Sequence, residues 1–126
     1  MAISTVNIST PANENIYSSS AMGATIEGIK ASSATVFSVI VDNSANSAAT
    51  YVKLWNLASG SVMVGTTVPD EVIYVPANVL VTQILYTGAA QGKIFGTALS
   101  AAAVTTGGTT GTTPPTSSTV VTINYV

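Results

Sequence analysis

Residues 94–104 read IFGTALSAAAV, and the reading of this stretch decides the fold. Leu99 and the alanines around it are good helix formers. Gly96 inside the run, the Thr-rich flanks, and Gly92 and Gly107 on either side argue against a helix. As a strand over Ile94–Val104 it joins a chain in which period-two segments dominate.

Downstream, Thr105–Ser118 is a long Gly/Thr/Pro/Ser connection, and Thr119–Val126 alternates with Val121, Ile123 and Tyr125 on one face. Upstream, TGAAQG (87–92) reads as a hairpin connection. Val79–Tyr86 is apolar on both faces, which predicts a central strand covered on both sides. Val72–Val75 is a strand ended by Pro76, and Val62–Thr66 is a short one. LASGS (57–61) and VPDE (68–71) are turns. Thr50–Asn56 places Val52 and Leu54 on one face and Tyr51, Lys53 and Trp55 on the other. DNSANSAA (42–49) is a loop, and Thr35–Asp42 has Phe37, Val39 and Val41 on one face. Ala24–Lys30 is a weaker strand, residues 9–22 a polar loop, and Ala2–Ile8 a short β-branched strand. Together these predict an all-β chain: one antiparallel β-sandwich or barrel over residues 1–126. Residues 1–22 would form an extended N-terminal arm and residues 105–118 a long loop.

Charge is the unusual feature of the composition. Only 6% of the 126 residues are charged, against about 25% in ordinary soluble domains. The cations are Lys30, Lys53 and Lys93, and the net charge is -2. Such a chain has little self-repulsion, which suits a protein packed against neighbours. Phosphate binding draws on Lys and Arg, so three scattered lysines predict no nucleic-acid partner. No apolar run approaches the ~18 residues of a membrane helix, so no membrane partner is expected. MAISTVNIST lacks the pattern of a secretory signal.

With no histidine and no cysteine, Ser–His–Asp catalysis and thiolate metal sites are excluded. Asp70 and Glu71 are the adjacent carboxylates. They read either as half of a glycosidase pair or a Ca²⁺ ligand set, or as a solvated turn. Asp42 in VDNSAN reads as a Ca²⁺ ligand or as an Asx turn ending a strand. GAAQGKIFG lacks the spacing of a phosphate-cradling loop, since Ile94 follows Lys93. No enzyme, cofactor or metal is expected.

The stripe Tyr51, Lys53, Trp55 is the candidate interface, because exposed aromatics are common at binding hot spots. Two other readings stand beside it. The aromatic face is buried with Lys53 reaching an edge, or the stripe is a carbohydrate platform. Thr109, Thr110, Pro114 and Pro115 extend the candidate interface, as parts of a loop ordered by contact with another subunit.

The blocks YVKLWN, VGTTVPDEVIYVPA and KIFGTALSAAAVTTGGTTGTTPPTSSTVVTINYV, in that order, resemble a family of small β-sandwich virion proteins of tailed bacteriophages. The resemblance covers Tyr51–Val126, and the first 50 residues carry little of it. Ala98 departs from it, standing where a glycine is expected. The resemblance implies a jelly-roll-like sandwich serving as a capsid decoration, or cement, protein. Its partners would be the major capsid protein and copies of itself, as a trimer. Its place would be the head surface of the virion, after assembly in the host cytoplasm. The alternative is a tail or fibre module that binds host surface glycans.

Overall fold

A computed structural model of the chain describes residues 14–126. The strand expected over Ala2–Ile8 lies outside the described residues. The strands are β1 (Asn15–Ser19), β2 (Glu27–Lys30), β3 (Ala34–Asp42), β4 (Thr50–Trp55), β5 (Glu71–Val75), β6 (Leu80–Ile84), β7 (Tyr86–Thr87), β8 (Ala90–Gln91), β9 (Lys93–Phe95), β10 (Leu99–Val104) and β11 (Val120–Tyr125). All pairings are antiparallel.

Two sheets pack into a sandwich. Sheet A runs β1-β11-β3-β6, with β9 also paired to the start of β3, and sheet B runs β2-β10-β4-β5. Alternation puts Val39 and Val41 of β3, Val121 and Ile123 of β11, Val52 and Leu54 of β4, and Ala101 and Ala103 of β10 into one shared core. The small β7-β8 hairpin stands apart from both sheets.

The stretch 94–104 is extended, as read, but it is two strands. β9 belongs to sheet A and β10 to sheet B, and the chain crosses between them at residues 96–98. The Asn56 side-chain oxygen anchors the crossing, accepting the N–H groups of Thr97 (2.7 Å) and Ala98 (3.4 Å). β10 is buried at all six positions.

Four other expectations need correction. Residues 14–22 are not a loop or arm: β1 zips onto β11, and Met22 enters the core. NIYSS hides its strand character because only Tyr17 and Ser19 face inward. Phe37 does not share a face with Val39 and Val41. The β3-β11 register slips at this point, and Val36 takes the inward place beside Tyr125. Val62–Thr66 is a turn, with Thr66 and Thr67 both donating to the Met63 carbonyl (3.0 and 2.8 Å). Last, Val79–Tyr86 is not a covered central strand. β6 is the edge of sheet A, and four of its five residues are exposed.

A buried polar knot closes one end of the sandwich. The Asn43 carboxamide donates to the carbonyls of Ala48 and Pro76 (both 3.0 Å). Its oxygen accepts from Asn46 (2.9 Å) and from the Thr50 hydroxyl (2.8 Å). Asn46 donates to Thr119 (3.1 Å) and accepts from the Ser117 amide (2.7 Å). Three loops thus meet on two asparagines, which is why Asn43 and Asn46 are buried while Ser44 and Ala45 between them are exposed. Removing the hub strands several buried groups at roughly 1–3 kcal/mol each. Asn43→Ala is therefore expected to destabilise the fold by at least about 3 kcal/mol in denaturant unfolding, whereas Ser44→Ala in the same loop has little effect.

Candidate interaction surface

The strand β4 turns Tyr51, Lys53 and Trp55 to the outer face of sheet B, opposite Val52 and Leu54. That face is nonetheless buried. The chain's own segments 56–70 and 105–118 lie over it. Trp55 is fully buried, and its indole N–H donates to the Thr67 carbonyl (3.0 Å). Lys53 is fully buried too, and its ammonium donates to the Thr110 carbonyl (2.8 Å). Tyr51 is half-buried, with its ring 5.4 Å from that of Tyr74.

The Gly/Thr-rich segment covers its own sheet. Thr105 donates to the Thr113 carbonyl (3.0 Å), closing the segment on itself. Gly107 passes so close to Tyr51 that a Cβ there would sit 2.8 Å from the ring. Gly111 has φ +99° and leaves no room for a Cβ beside Thr106. Further along, Pro114 packs near Gly23, at 3.6 Å from where a Cβ would stand. Of the candidate interface, the structure brings Tyr51, Lys53, Trp55 and Thr110 together as an internal contact. Thr109 and Pro115 are half-buried, and the Thr110 and Pro114 side chains are exposed.

Burial without a carboxylate partner pushes the Lys53 ammonium below its usual pKa. The other acidic candidates have ordinary structural duties. Asp70 accepts the Asn56 N–H (2.7 Å), and Glu71 pairs with Lys93 (2.7 Å). Asp42 accepts the Ser44 N–H (3.0 Å) in an Asx turn, and hydrogen bonds from the Ser44 hydroxyl and then its amide lower the Asp42 pKa. Among the described residues no cluster of three or more metal-ligating acidic side chains occurs. A cleft of about 320 Å³ between β2 and the Ser59–Ser61 turn offers Lys30 and Ser59 as its polar side chains.

Among the described residues, the uncovered surface is on the other sheet. Register places Ile16 of β1, Val120 of β11, Ile40 of β3, Leu80 and Ile84 of β6 and Ile94 of β9 on the outer face of sheet A. Ile16 is 70% exposed, Ile94 61% and Leu80 57%. Ser18, Ser38, Thr82, Thr122 and Asn124 fill the places between them, and Asp42 is the one charged residue at these paired positions. Sequence reasoning missed this surface because Val79–Tyr86 looked like core. Two signals pointed to it: the lack of charge throughout residues 72–92, and the alanines of β10, which mark sheet B as the covered sheet.

Compared with known proteins, the chain matches no protein-family model, no curated protein and no solved structure.

The Lys53 contact has a testable pH signature. Its pKa is depressed in the folded state, so the unfolded chain binds the extra proton. The burial cost is present at neutral pH and is relieved as pH rises through the folded pKa towards the unfolded value of about 10.4. The neutral amine still donates to Thr110. Lys53→Met is expected to stay within about 1.5 kcal/mol of wild type near pH 7. Wild type should then gain on the variant as the pH is raised to 10, in parallel denaturant titrations.

Proposed function

We propose that the protein is a structural assembly subunit, and in its specific form a decoration or cement protein on a bacteriophage capsid. The observation that supports this reading is the outer face of sheet A. A flat face of four strands by five residues has a footprint of roughly 300–400 Å². Apolar residues share that footprint with Ser, Thr and Asn, and apolar side chains gathered on one side of a monomer often mark an interaction site. Ser and Thr between the apolar residues keep it soluble while adding hydrogen bonds to any neighbour that covers it.

Non-covalent cementing needs a rigid body and a docking face, and it needs no chemistry. The two-sheet core and the Asn43 knot give the rigidity. The face gives contact with little charge to desolvate. One such face is smaller than the ~800 Å² per partner of a standard interface. Many copies on a repeating shell offset that deficit through avidity. The partners under this reading are the major capsid protein and further copies of this chain, in a jelly-roll-like arrangement on the head surface. The glycan-binding alternative is not carried forward, because it required a solvent-facing Trp55, and Trp55 is buried.

The test is retention on particles. Ile94→Glu and Leu80→Glu, each at an exposed position, are expected to lower the copies bound per purified head by at least tenfold. Their melting temperatures should stay near wild type. Equal retention of wild type and both variants, or no wild-type binding to heads, overturns the reading.

A further inference from the structure

Among the described residues, nothing covers the edge of sheet A at β6. Native edges are usually blunted by charges, proline, bulges or a covering segment. The edges of sheet B follow this rule: β2 carries Glu27 and Lys30, and β5 carries Glu71, which is held by Lys93. β6, with the sequence LVTQI, has no charge and no proline.

The ladder shows which backbone groups β6 leaves over. Asn43 N–H donates to the Val79 carbonyl (2.9 Å), and Leu85 N–H donates to the Phe37 carbonyl (3.0 Å). Both fit the β3-β6 register, so the odd-numbered residues of this strand bond to β3. Leu80, Thr82 and Ile84 therefore turn their N–H and C=O groups away from the sheet. Among the described residues, the Ile84 carbonyl is met there by the neighbouring Gln83 carboxamide (3.0 Å).

We propose that β6 pairs with β6 of a second copy of this chain, antiparallel across a two-fold axis through Thr82. The strand is self-complementary in this register. Leu80 faces Ile84 of the second copy, Thr82 faces Thr82, and Ile84 faces Leu80. The three outward residues are the ones that match as hydrogen-bonded pairs, each exchanging two N–H···O bonds. Apolar pairs and a Thr–Thr pair are favourable cross-strand combinations, and no like charges oppose each other. Leu80 and Ile84 also lie on the bare outer face, so pairing joins the two faces into one continuous surface. The self-contact is then two-fold, in place of the three-fold that the family resemblance implied.

The experiment is sedimentation equilibrium of the purified full chain at about 10–100 µM. Wild type is expected to be a dimer. Thr82→Pro removes an N–H that points away from β3, a place where an edge strand tolerates proline. It is expected to weaken dimerisation at least 100-fold, with an unchanged far-ultraviolet circular dichroism spectrum. Thr82→Lys sets two ammonium groups against each other at the axis and should do the same, which keeps the test open if the proline variant fails to fold. A wild-type monomer, a trimer, or a dimer that survives Thr82→Lys overturns the proposal. A monomer whose Thr82 amide is still protected from hydrogen exchange would place another segment of the same chain on the edge, and overturns it too. The measurement uses the protein alone, so its failure is distinct from failure to bind capsids.

Discussion

The cover over the outer face of sheet B is the constraint on which the rest of the structure depends. β10 is built from Leu, Ser, Ala, Ala, Ala and Val, and its residues are too small to shield a sheet face by themselves. Backbone must come down onto them, and the glycines of 105–118 allow it to do so. Lys53 fixes the cover in place. Its ammonium is out of water and donates to the Thr110 carbonyl. A buried cation is expensive unless a polar group meets it. Lifting the segment away would return that cation to water but expose the small side chains of β10. The Thr110 carbonyl thus offsets part of the cost of burying the lysine, and a segment of threonine and glycine is ordered without a core of its own.

This cover makes the two sheets unequal. Among the described residues, sheet B lies between core and loops, while sheet A has core on one side and no covering segment on the other. A long loop on each sheet would have made an ordinary monomer, closed on all sides. Among the described residues, the long irregular stretches 56–70 and 105–118 are both used on the same sheet. What remains is one face whose apolar residues come from five different strands, all in register. Exposed apolar side chains occur singly on most proteins. A set that converges on one sheet face, next to an unblunted edge, is a different matter.

Much of the sandwich was legible in the sequence. β3, β4, β5 and β11 lie where period-two alternation put them, and β4 divides its residues between core and outer face as read. Alternation reports the two sides of a strand, but it does not report what lies against each side. Val79–Tyr86 and Leu99–Val104 are both apolar on both faces, yet one is an exposed edge and the other a buried centre. Side-chain size separates them in hindsight: alanine serves where a backbone lies close, and leucine or isoleucine where nothing does. The Tyr51–Lys53–Trp55 stripe failed for the same reason. It does point away from the core, but a segment more than fifty residues downstream covers it, and no local pattern records that contact. Phe37 was misplaced by a register slip, which only its partner strand reveals.

The scarcity of charge acquires a physical meaning from this asymmetry. Of the three lysines, Lys53 is buried and Lys93 is tied to Glu71 and the Asp70 carbonyl. Lys30 lies on β2, an edge of sheet B. Glu27, also on β2, accepts hydrogen bonds from Tyr17 (3.1 Å) and Ser19 (3.0 Å) and so clasps the edges of the two sheets together. Charge is thus spent on the sandwich's own closure and on blunting sheet B. On the outer face of sheet A, Asp42 sits at the strand end, engaged by the Ser44 amide, and the middle of the face is left neutral. Charges scattered across that face would keep copies apart, as they do on ordinary domains. A chain that withholds them from the middle of one sheet face and from one strand edge, while using them on the other sheet, leaves that place without like-charge repulsion.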